Sequence, residues 1–138
     1  MIRIVLAAFS YFLIVFTAGF ILGAMRMFIF APYLGNAVAV VLEVPIMLAI
    51  SWYVCRTIIA RADIPASLAH GLVMGGLAFA LLMVAEVAIS VVLLGRTFAQ
   101  HVAGYAATGS MVGLAAQIAF ALFPALQLGT SASPRRSA

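Results

Sequence analysis

Three ionisable side chains stand inside long apolar stretches of this chain: Arg26, Glu43 and Glu86. A charge at the centre of a bilayer costs roughly 2.5 to 3.5 kcal/mol on insertion scales, so such residues need a partner or a purpose. Their distances from the nearest breaks in the apolar pattern are informative. Arg26 lies six residues before Pro32, Glu43 eight after Gly35 and Glu86 eight before Leu94. At about 1.5 Å per residue these are depths of roughly 9, 12 and 12 Å from one surface. One cation and two anions are therefore expected in one layer, facing inward as a cluster. The planar guanidinium of Arg26 suits bridging of one or both carboxylates. With both glutamates ionised the cluster would carry a net −1, which favours holding a proton or a cation. Two carboxylates sharing one arginine would also raise the pKa of one of them. The alternatives are a structural clamp between helices and a binding surface for a partner or small ligand.

Other polar residues are candidates for support. Gln117, with Thr108 and Ser110 nearer the same surface, is placed to line an inward path or to bond neighbouring helices, and Arg96 lies close by. Pro45, two residues beyond Glu43, removes a backbone donor and is expected to kink its helix. His70 and His101 fall near opposite surfaces and cannot share one haem or metal, so no cofactor and no metal site is expected. Cys55 is the only cysteine, which excludes an intramolecular disulfide and a thiolate cluster. Neither a nucleophile–base pair nor a phosphate loop is visible, so no catalytic residue is assigned and an enzyme has the least support.

The elements that must carry these residues follow from composition. Of 138 residues, 67% are hydrophobic and 7% charged, against roughly 25% charged in a soluble domain. The mean hydropathy is +1.30. Such a chain is solvated by lipid. A bilayer core of about 30 Å needs roughly 20 apolar residues per helix. Four such segments with short connections account for the length, giving an all-α, antiparallel four-transmembrane-helix bundle as a single domain over 1–126. The spans are expected at about 4–30, 37–55, 68–94 and 104–126, with a turn at 31–36 and polar connections at 56–67 and 95–103. Residues 127–138, rich in Ser and ending near Arg135 and Arg136, read as a disordered tail. The apolar run from Ile4 to Met25 is longer than a signal-peptide core and reads as a retained first span.

Orientation follows from the arginines, since the chain has no lysine. Arg3, Arg56, Arg61, Arg135 and Arg136 fall on one side, Arg26 and Arg96 on the other. The positive-inside rule puts the richer side, with both termini, in the cytoplasm of a bacterial inner membrane. The complete bias from Lys to Arg hints at a GC-rich bacterial genome. Scattered arginines form no basic patch, so nucleic acid is not an expected partner. The bilayer is, and a homo-oligomer or larger membrane complex would suit so small a bundle. Gly19 and Gly23, Gly71 and Gly75, and Gly109 and Gly113 each form a GxxxG pair, a spacing that lets helices approach closely in lipid.

The run Gly19-x-x-x-Gly23-x-x-Arg26, then Pro32-x-x-Gly35 and Glu43-x-Pro45, continuing through Glu86, Gly95-Arg96 and Gln117 to Phe123-Pro124, resembles small four-span bacterial membrane proteins with no assigned activity. That resemblance implies fold and location and no mechanism. Dual-topology fluoride channels share a small-residue patch before an arginine, as in Gly23-Ala24-Met25-Arg26, but need an Asn and a Thr- and Phe-rich break that are missing here. Small multidrug exporters carry a glutamate in span one, where this chain has no acid. Membrane glutathione-handling enzymes place a basic, Asn-containing motif before a span-two glutamate, whereas Asn36 stands seven residues from Glu43. Two readings remain: a structural or accessory membrane component, or a small proton- or cation-coupled transporter or channel using Glu43 and Glu86.

Overall fold

A computed structural model describes residues 1–131. Helix α1 (Ile2–Met25) passes through a π-helical turn (Arg26–Phe30) into the short α2 (Ala31–Leu34). Helix α3 (Asn36–Ala62) returns. Helix α4 (Leu68–Ala88) ends in a second π turn (Ile89–Leu93), and α5 (Phe98–Gly104) leads to α6 (Thr108–Ser131). Four segments are long and apolar enough to cross a membrane: Ile2–Leu34, Asn36–Ala62, Leu68–Leu93 and Gly109–Ser131. The chain is an all-α, polytopic membrane protein.

The boundaries differ from the sequence expectation in instructive ways. No turn spans 31–36, because the helix continues through the π turn into α2, with Pro32 near its start. The π turn before it lets the Ala31 N–H reach back to Arg26 O, shifting the register ahead of the proline. Only Gly35, at φ +79°, breaks the helix, a conformation open chiefly to glycine. Helix α3 does not stop at Cys55. Arg56 and Arg61 lie on its last turns, since arginine is a good helix former and needs only water for its head group. It ends where Asp63 turns left-handed at φ 49°. Helix α3 also runs unbroken through Pro45.

The fourth span runs past Leu126 to Ser131 rather than giving way to a disordered tail at Gln127. Gln127 Nε2 donates to Trp52 O at 3.0 Å, and the Thr130 and Ser131 hydroxyls donate to carbonyls a turn earlier. The rest of the expected tail, 132–138, lies outside the described residues.

Around the bundle the order is α1, α3, α6, α4, so α3 and α4 stand on one diagonal. Successive spans run antiparallel. Helix α4 packs on α6 through Gly71 and Gly75: a Cβ on Gly71 would meet Pro124 O at 2.6 Å, and one on Gly75 would overlap the Ala121 carbonyl. Backbones in such contact have replaced side-chain packing. Gly19 touches Met47 on α3, and Gly109 lies against Ala37 and Val40. The other half of two pairs departs from expectation. Gly113 faces open space, and Gly23 meets only the Arg26 side chain.

The centre is filled by Tyr11, Cys55, Met74, Ala78 and Phe120, all buried. Tyr11 stacks on Phe120 with ring centroids 4.3 Å apart. Its hydroxyl donates to the Phe120 carbonyl at 3.0 Å. Pro124 explains that bond. Four residues after Phe120, it has no N–H for this carbonyl, and inside lipid an unmet carbonyl is costly. The Tyr11 hydroxyl supplies the missing donor from the opposite corner of the bundle. Tyr11→Phe keeps the stacking and orphans that carbonyl, so it should lower unfolding stability in detergent by about 1–3 kcal/mol, measured by denaturant titration.

Candidate functional site: two separate polar centres

The π turn after α1 carries Arg26 to the mouth of the α1–α3 hairpin. Its Nε donates to Glu43 Oε2 at 2.7 Å and its Nη1 to Asn36 Oδ1 at 2.6 Å. Asn36 and Glu43 stand seven residues apart, two turns along α3, and so share one face. One guanidinium therefore binds a carboxylate and an amide. It does not bridge two carboxylates. The Arg26 and Glu43 side chains are about one quarter and one fifth exposed, so the pair is only partly buried. A recess of about 100 Å³ beside it is lined by Leu22, Phe30, Ala39, Leu42 and Ile46. That is well below the roughly 300 Å³ of an ordinary ligand pocket.

Glu86 belongs elsewhere. Its Oε2 accepts from the Tyr105 hydroxyl at 3.1 Å, and its Oε1 accepts from Gln117 Nε2. The Tyr105 oxygen lies 3.3 Å from His101 Nε2. Among the described residues Glu86 has no ion pair; the two ion pairs there are Arg26–Glu43 and the exposed Arg3–Asp63 contact at 3.7 Å. The expected cluster of Arg26, Glu43 and Glu86 is thus two centres, and neither holds a fully buried charge. The reason is the helix order: Glu43 on α3 and Glu86 on α4 ride on diagonally opposed helices.

Of the expected supporting residues, Gln117 joins the Glu86 centre. Arg96 is exposed and its side chain has no hydrogen bond among the described residues; only its backbone N–H is engaged, with Ser90 O. Ser110 is half-buried, and the Thr108 side chain lies outside the described residues.

Three contributors were not picked out from sequence. Asn36 was signalled by its seven-residue spacing from Glu43. His101 and Tyr105 were signalled by being four apart, which brings their rings to 5.2 Å in a T-shaped contact. They are carried by α5, which Thr97 starts as a capping box: Gln100 N donates to Thr97 Oγ1, and Thr97 N to Gln100 Oε1. Partial burial and the neighbouring Glu86 carboxylate push the Tyr105 phenol up to about 12, so it keeps its proton at neutral pH. Among the described residues two buried side-chain polar atoms lack a partner, Ser90 Oγ and Gln117 Oε1. Among the described residues no group of three or more His, Cys, Asp or Glu side chains is placed to hold a metal.

No protein-family profile, curated protein or solved structure matches the chain.

Proposed function

We propose that this protein is a structural or accessory component of a bacterial inner membrane, with both termini in the cytoplasm. The observation that carries the reading is the Arg26–Glu43–Asn36 contact. The intramembrane cation is neutralised on the spot, and it ties the start of α3 to the end of the first span. The centre of the bundle supports the same reading, since Tyr11, Phe120, Met74 and Cys55 fill the space an ion would need. The orientation rests on Arg3, Arg56 and Arg61 at the Met1 end, against Arg26 and Arg96 at the other. Its partners are lipid and, through the faces left open, a second copy or a larger membrane complex.

A proton- or cation-coupled carrier retains one supporting observation, the Glu86 carboxylate without a cationic partner. Reconstitution separates the two readings. In proteoliposomes under a pH or cation gradient, the native protein is expected to give no flux above protein-free vesicles. Flux that Glu43→Gln and Glu86→Gln both abolish, with folding intact, would establish the carrier instead.

A further inference from the structure

Among the described residues Glu86 has no arginine or lysine beside it. Helix α6 contributes Gln117, and the α5 end contributes Tyr105 and His101. From α1 no ionisable side chain contacts it among the described residues, and the Arg26–Glu43 pair belongs to the other centre. A carboxylate in an apolar layer with no arginine or lysine to fix its charge is suited to binding a proton. The remaining question is how a proton would reach it.

We propose that Glu86 is a reversible proton-binding site, served from the aqueous phase at the Gly95 end of the bundle by a relay through His101 and Tyr105. The contacts of 3.3 and 3.1 Å are within or near hydrogen-bond reach and share one oxygen, that of Tyr105. That hydroxyl donates to Glu86, so the ring nitrogen on its other side must donate to it. His101 is half-buried, with the short helix around it largely exposed. A proton from water binds at Nδ1. The Nε2–H bond of the imidazolium then breaks as an O–H bond forms on Tyr105. The original Tyr105 O–H bond breaks as an O–H bond forms on Glu86. One positive charge moves inward, nothing is oxidised or reduced, and Tyr105 is never left ionised.

Gln117 holds the other carboxylate oxygen. Its Nε2 donates to Glu86 Oε1, away from Tyr105. Once the proton sits on Oε2, the Tyr105 oxygen accepts from it, and Gln117 Nε2 still donates to Oε1. Both protonation states of the carboxyl group are thus partnered. The inference rests on the two centres being separate and does not depend on whether the protein carries out transport.

The chain has just two glutamates, so carboxyl-labelled glutamate gives two side-chain signals, and Glu86→Gln assigns them. In lipid nanodiscs, the signal lost in Glu86→Gln is expected to move across a pH titration. After a light-triggered release of acid, the infrared band of the protonated carboxyl should rise in the native protein and be absent in Glu86→Gln. Tyr105→Phe and His101→Ala should slow that rise at least about tenfold while its final amplitude persists. Helical content and a single elution peak check that each variant folds. Should Tyr105→Phe fail to fold, His101→Ala reads the same relay from its exposed helix. A Glu86 signal that stays fixed across the titration would overturn the site. Unchanged rise times in folded Tyr105→Phe or His101→Ala would overturn the relay.

Discussion

Gly75→Ala is expected to destabilise the bundle by about 3 kcal/mol, at the upper end of what overpacking costs, while Gly76→Ala one position on is harmless. In an exposed helix interior, glycine to alanine gains up to about 1 kcal/mol through backbone entropy. Gly76 has open space around it and should show that gain. At Gly75 the new methyl would overlap the Ala121 carbonyl, and a backbone carbonyl cannot rotate away as a side chain can. Relief requires α4 and α6 to separate, which also opens Gly71 against Ala125. The overlap therefore outweighs the entropy gain, and opposite signs at adjacent positions are the result to look for. Equilibrium unfolding in mixed micelles, with helicity as the probe, gives both values. Equal effects at the two glycines would mean that α4 does not meet α6 through this face.

The second large effect is at the ion pair. Arg26→Met leaves Glu43 facing apolar neighbours with only part of its surface exposed, and the cost is expected to be about 3 kcal/mol. Glu43→Gln should cost less, about 1 kcal/mol, because the amide oxygen still accepts from the guanidinium. Arg26→Met combined with Glu43→Gln should recover most of the loss of Arg26→Met, since no unpaired charge then remains on this side of the bundle. The same unfolding assay checks all three. A double variant as unstable as the sum of the singles would remove the case for a direct clamp.

The sequence was most readable along the helix axis. Counting residues from Pro32, Gly35 and Leu94 placed Arg26, Glu43 and Glu86 in one layer, because rise per residue converts position into depth. It could not give the angle around the bundle. That depends on which helices become neighbours, and the order α1, α3, α6, α4 places the two glutamates on opposite corners. Small-residue spacing behaved the same way. Gly71 and Gly75 both meet α6, whereas Gly23 and Gly113, equally well spaced, do not meet a neighbouring helix. The sequence also tied polarity too closely to helix ends: Arg56, Arg61 and Gln127 lie in helices because long polar side chains reach water or a carbonyl from a helical backbone. Pro124 showed that Phe120 O would need a donor from elsewhere. Only the packing reveals that donor as Tyr11, over a hundred residues away in the chain.

The division of the intramembrane charges into two centres is tested most directly by paired double-mutant cycles joining Arg26 to each glutamate in turn. Unfolding free energies would be measured for Arg26→Met, Glu43→Gln, Glu86→Gln and the two doubles that contain Arg26→Met. The account predicts a coupling of about 2 kcal/mol between Arg26 and Glu43, and one within about 0.5 kcal/mol of zero between Arg26 and Glu86, as for residues without a shared partner. A coupling above about 1 kcal/mol between Arg26 and Glu86 would contradict it, and would restore a single three-residue cluster.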